Sequence, residues 1–227
     1  MRSNWVRLTS LLCLTGILAA CGNSPPQRMD VNSDIPTPVI SKIPVSAGVV
    51  FNEQLTSFTT TERQQNGKKW QIGLGNTNRK ILSNIFDSLF EEVVEFPNAK
   101  AAAESTDIAF TLVPRIDDYS MLSAGDAGGK FYAVSMRHFI DIYATAGKRV
   151  GTMEVNSYGR QRKAGVMSGG VAEIDAATDD AFRDLAVTLV VELPNQLNQA
   201  GLTGAPEDDI LDDMDDSDTD ADMGSAE

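Results

Sequence analysis

The chain has 227 residues, with 19 Lys and Arg against 32 Asp and Glu, a formal net charge of -13, two Cys and a single His. So little His and Cys excludes His/Cys zinc clusters and multi-disulfide scaffolds, and the acidic balance argues against nucleic acid as a partner, because phosphate binding needs clustered cations. The length suits one domain with its own core and some chain left over.

Arg2 and Arg7 precede an apolar run from Leu8 to Ala20 that ends in small residues, the pattern of a secretory signal. As a helix this run spans roughly 20 Å, short of a hydrocarbon core of about 30 Å, so residues 1–20 are expected to be cleaved rather than to remain as a span. At the cut stands Leu18-Ala19-Ala20-Cys21, which resembles the lipobox of bacterial lipoproteins. The resemblance implies cleavage before Cys21, diacylglycerol on its thiol and an acyl chain on the new amino terminus, with no other cofactor. Acyl chains contribute about 0.8 kcal/mol per buried CH₂, so three of them hold a domain on a bilayer. The next residue is Gly22, not Asp, which in that family implies sorting to the outer membrane. Cys13 leaves with the signal, so the mature chain has no free thiol and no disulfide.

Residues 21–44 contain five prolines and few large apolar side chains, and read as an extended tether between lipid and domain. The globular part is expected over 45–202. It opens with strand-like runs at Val45–Phe51, Leu55–Thr61 and Lys68–Ile72, the last two joined by a turn at Gln64–Gly67. Gly73 and Gly75 then lead into a helix predicted over Thr77–Val94, capped at Asn76-Thr77, with Ile81, Leu82, Ile85, Phe86, Leu89, Phe90 and Val93 at the helical period. Strands follow over Asp107–Ile116, Lys130–Thr145 and Arg149–Tyr158. The middle one places Tyr132, Val134, Met136, His138, Ile140 and Ile142 on one face. A last helix is predicted over Ala176–Asn198, kinked or ended by Pro194. Together these give an α+β fold, a mostly antiparallel sheet of five or six strands packed against two helices.

Residues 203–227 read as a disordered acidic tail: 207–227 hold 11 acidic residues and no basic one. Without the signal and its two arginines the net charge is -15, and without the tail's acids it is -4. Asp218, Asp220 and Asp222 alternate as in a calcium loop, but the required Gly and Glu positions do not match.

Three features invite a chemical reading. Gly73-x-Gly75 sits between strand and helix, but Asn78 stands where a dinucleotide turn needs its third Gly, so tight turning is the better reading. Gly125–Lys130 lacks the first Gly of a phosphate loop, and Phe131 opens a strand where that motif needs Ser or Thr and a helix. His138 has no second His or Cys to share a metal and reads as a core or edge residue. No nucleophile motif is visible, and an enzyme is not expected. The remaining feature is a basic group, Arg160, Arg162 and Lys163, with Lys148 and Arg149 one strand away. These cations suit an anionic contact: lipid headgroups or lipopolysaccharide, an acidic partner, or the chain's own tail.

The order of parts is a lipobox, a tether, strands, Trp70-Gln-Ile-Gly-Leu-Gly before the Ile81–Phe90 helix, long paired strands and a terminal helix. In this order it resembles the YajG-type outer-membrane lipoproteins and, more remotely, the TolB amino-terminal domain and the LpoB activator of penicillin-binding proteins. The resemblance covers about residues 45–200 and implies a binding module. It would be anchored to the outer membrane through its lipid, face the periplasm, and act as an adaptor or accessory factor on an envelope protein. The alternative is handling of lipid or lipopolysaccharide, which needs an apolar cavity between sheet and helices.

Overall fold

The computed structural model describes residues 25–164 and 170–203; the signal, the lipobox at Leu18–Cys21 and the acidic tail lie outside them. In chain order come β1 (Gln27–Asp30), β2 (Ile43–Val49), α1 (Glu53–Thr56), β3 (Thr59–Arg63), β4 (Lys69–Gly73), α2 (Gly75–Leu89), β5 (Phe90–Glu95), α3 (Ala99–Ala103), β6 (Phe110–Leu122), β7 (Phe131–Ala144), β8 (Arg149–Arg162) and α4 (Val171–Gln199). The strands form a three-stranded sheet, β1-β4-β3, and a five-stranded sheet, β5-β2-β6-β7-β8. The α+β class is as expected, but the sheets are mixed. β6, β7 and β8 form an antiparallel meander, whereas β2 runs parallel to both its neighbours and β1 parallel to β4. Parallel pairs need long crossovers, and no turn residue announces them.

Alternation in β7 does what its period demands. Tyr132, Val134, Met136, His138, Ile140 and Ile142 are all buried, facing Phe182, Leu185, Leu189 and Leu193 of α4 in one core that also takes Ile81, Leu82, Ile85 and Phe86 from α2. The long helix comes this close to β8 because position 159 is Gly: a Cβ there would lie 1.9 Å from the Ala177 carbonyl oxygen. A smaller cluster of Val50, Ala102 and Ile108 places α3 over the opposite sheet face.

Four local expectations are corrected. First, the predicted helix to Val94 ends at Leu89, and Phe90 passes directly into β5 with φ -114° and ψ 153°. Phe90 and Val93 fit the helical period, but β-branched Val93 and Val94 pair with Ala47 and Gly48 of β2 instead. Second, Leu55 belongs to α1, capped by the Asn52 side chain accepting from the Leu55 N–H at 2.9 Å. The strand starts only at Thr59. Third, α2 begins at Gly75 without a side-chain cap, and Thr77, expected as a cap, donates its hydroxyl to the Val31 carbonyl. Fourth, α4 begins at Val171, five residues before the expected start at Ala176, and is not ended by Pro194 but runs to Gln199, with the Asn195 side chain donating to the Val191 carbonyl at 3.1 Å.

The largest departure is in the expected tether. Met29, Val31, Ser33 and Ile35 are buried at period two, while Arg28, Asp30, Asn32 and Asp34 are exposed. After β1, this strap follows the seam between α2 and α4. The Val31 N–H bonds the Gly73 carbonyl at 3.0 Å, Asp34 reaches Lys80 at 3.2 Å, and Thr37 to Lys42 lie beside Asn84, Asp87 and Ser88. Ile35 to Pro38 meet Ala186, Val187 and Val190 on the other side. The domain therefore begins at Gln27, not at residue 45. Pro and polar residues lower the average hydropathy of this stretch and mask its alternation.

Candidate functional site

The basic residues singled out from sequence do not form one cluster. Arg149 and Arg162 are the two ends of β8, and 13 residue steps at about 3.3 Å separate them by roughly 43 Å. At the first end Arg149 is committed: its guanidinium lies 3.3 Å from Asp141 and donates to Thr152, and Asp141 also receives Arg115 at 3.4 Å. Lys148 precedes it in the turn after β7. At the other end Arg160 and Arg162 are exposed, and the Lys163 N–H donates to the Lys130 carbonyl at 3.2 Å. Lys130, Phe131, Arg160 and Arg162 line an open groove of about 490 Å³, with the Arg160 guanidinium 5.2 Å from the Phe131 ring centre.

Further cations join this second end, and the sequence reading missed them. Asp126 of the β6–β7 loop accepts from the Gln65 N–H at 3.2 Å, and Glu62 accepts from the Met121 N–H at 3.4 Å. These contacts bring the β3–β4 turn beside the β6–β7 loop. A second open groove, about 830 Å³, is lined there by Pro25, Gln27, Arg63, Asn66, Gly67, Lys68 and Lys69. Lys68 sits 4.7 Å over Trp70. Arg63, Lys68 and Lys69 flank a turn that the sequence does show, but their nearness to Lys130 and Arg160 arises from sheet packing, which leaves no local signal.

A different surface is apolar. Ile35, Pro36, Thr37, Pro38, Ala186, Val187, Val190 and Val191 line an open groove of about 350 Å³ between the strap and α4, with Arg183 at its rim. Val187 and Val191 are 63% and 59% exposed. The open face of β6–β8 contrasts with it, since it is bound up in its own ion pairs, Arg115 and Arg149 with Asp141 and Arg137 with Asp117 at 2.6 Å.

The buried polar groups are structural. His138 is fully buried and its Nε2 lies 3.0 Å from Asn78 Oδ1; desolvation lowers its pKa to about 4. Tyr119 meets Thr178 at 3.1 Å, and burial raises the Tyr119 pKa. Gly75, read from sequence as a tight-turn glycine, is needed for close packing instead: a Cβ there would lie 2.0 Å from the Thr56 carbonyl oxygen at the end of α1. The Gly125–Lys130 loop is closed on itself by Ser123 donating to Asp126 at 2.6 Å. Among the described residues no group of three or more His, Cys, Asp or Glu is placed to hold a metal, and no helix is long and apolar enough to cross a membrane.

No family model and no curated protein matches the chain. Among solved structures it is similar to XCC0632 of Xanthomonas campestris, a protein of the DUF330 family, at 12% identity and a TM-score of 0.51, covering 77% of this chain and 99% of that one. This likeness shows a shared fold. A neuraminyllactose-binding hemagglutinin homologue from Helicobacter pylori aligns at 11% identity and a TM-score of 0.47, over 76% and 96% of the two chains. A lipoprotein from Caulobacter crescentus aligns at 11% and 0.36, over 53% and 80%.

Proposed function

We propose that the chain is a lipid-anchored lipoprotein of the bacterial outer membrane, facing the periplasm, that serves as a non-catalytic accessory factor for an envelope protein. The anchor reading rests on Leu18-Ala19-Ala20-Cys21 after a signal-like run, with Gly22 favouring the outer membrane. The adaptor reading rests on one observation. The space between sheet and helices is filled by side chains such as Phe86, Phe182 and Leu185, each 0% exposed, while Val187 and Val191 stand out in the apolar groove beside the strap. Lipid handling needs the reverse arrangement, an enclosed apolar cavity. An exposed apolar groove rimmed by charge suits a protein partner.

Two measurements test the two halves. Growth with an alkyne-tagged palmitate labels the chain, and C21A abolishes the label; undiminished labelling of C21A refutes the anchor. A photo-crosslinker at Val187 gives discrete adducts with an envelope protein that V191D suppresses, while the same probe at Lys100 gives none. No adduct at Val187 overturns the adaptor reading.

A further inference from the structure

Resting on the lipid-anchored reading, we infer that the end of the domain carrying the β3–β4 turn, the β6–β7 loop and the last residues of β8 is apposed to the membrane, where its cations bind anionic phospholipid headgroups. The first argument is reach. β1 begins at Gln27, six residues after Cys21, so extended chain spans at most about 20 Å between lipid and fold. A 24-residue tether would have left the orientation free; the strap removes that freedom.

The second argument is direction. β1 runs parallel to β4 with Gln27 opposite Trp70, so the chain enters the sheet at the β3–β4 turn, and Pro25 lines the same groove as Arg63 and Lys68. An acyl group on Cys21 therefore draws this end to the bilayer. The opposite end of β8, with Lys148, is held roughly 40 Å away.

The third argument is charge. The described ion pairs use Arg79, Lys80, Lys100, Arg115, Arg137, Arg149 and Arg183. Arg63, Lys68, Arg160 and Arg162 take part in none of them and are exposed. These four cations therefore gather at the end nearest Cys21, whereas Lys42 and Lys148, also outside the described ion pairs, lie singly away from it. Three acidic side chains at this end are engaged by backbone N–H groups: Glu62 by Met121, Asp126 by Gln65 and Glu173 by Ala164. From there α4, with 29 residues, carries the chain about 43 Å away from this end.

The test uses the mature chain, residues 21–227, without lipid and with Cys21→Ser, in co-sedimentation with vesicles of phosphatidylethanolamine and phosphatidylglycerol. Binding to these is expected, with none to phosphatidylcholine vesicles. Each surface cation contributes about 1 kcal/mol at an anionic membrane, or roughly fivefold, so R63E/R162E weakens binding by about 25-fold or more. R63Q/R162Q, a milder pair, gives a smaller loss in the same direction. K42E/K148E makes the same charge change away from this end and leaves binding within about twofold. Equal binding to phosphatidylcholine, or equal loss in the two charge-reversed variants, overturns the inference. Because no acyl chain is present, this result is independent of palmitate labelling: labelled Cys21 with no vesicle binding keeps the anchor and removes the apposed face, and the converse separates them the other way.

Discussion

At the scale of single residues, the core is held by a few positions whose roles are sharply testable. His138 is neutral in the fold because burial lowers its pKa to about 4, against 6.5 for an exposed imidazole. The unfolded chain then binds the extra proton, so stability is complete above about pH 6.5 and falls as pH drops toward 4, by about 3 kcal/mol over that window. Burial raises the pKa of Glu62 and Asp175, and their contribution has the opposite sign, present at low pH and lost as pH rises. Urea midpoints at pH 7 and pH 4.5 for the native chain and H138Q isolate the histidine: the variant is expected to lose most of the acid sensitivity. Gly159 makes a second prediction. G159V drives side-chain atoms into the α4 backbone and should cost about 3 kcal/mol or more, read as a lowered Tm, whereas a change at Gly128, with nothing within 4 Å, is limited to the strain of its positive φ. The alternation of β7 put His138 on the apolar face and left it as a core or edge residue; full burial makes it core. Its partner Asn78 was visible only as a failed dinucleotide motif, because the two are 60 residues apart and belong to different elements.

At the scale of elements, periodicity was reliable where one long segment faces one core, as in β7 and α4, and failed where two readings share a pattern. Phe90 and Val93 continue the helical stripe of α2 and also suit a strand; pairing with β2, 40 to 50 residues earlier, decides between them. The strap failed for another reason: four alternating inward side chains among prolines and acids look like a spacer unless the seam they fill is known. Its burial yields a prediction. I35D places a charge against Ala186 and Val190 and should destabilise the domain by about 2–4 kcal/mol, whereas V39D, at a fully exposed position, should be neutral within about 0.5 kcal/mol. Limited proteolysis of the native protein is expected to spare residues 27–35; rapid cleavage there would show that the strap does not dock.

At the scale of the whole molecule, the net charge of -13 conceals a distribution. Sequence order alone separated the acidic tail from a nearly balanced domain, but it grouped Lys148 and Arg149 with Arg160 and Arg162, which one straight strand holds at opposite ends. It also gave no hint that the β3–β4 turn adds its cations to one of those ends. The strap has one more consequence, for the order in which the chain can become native. Its seat is completed by Ala186, Val187 and Val190, which leave the ribosome some 150 residues after Val31, and β1 waits for β4. Among the described strands only the β3–β4 hairpin and the β6–β8 meander join neighbours in sequence, so they are the segments that can form first. This amino-terminal piece of chain is made early and folds last, and until α4 arrives it remains open to proteases and to chaperones that hold unfolded segments.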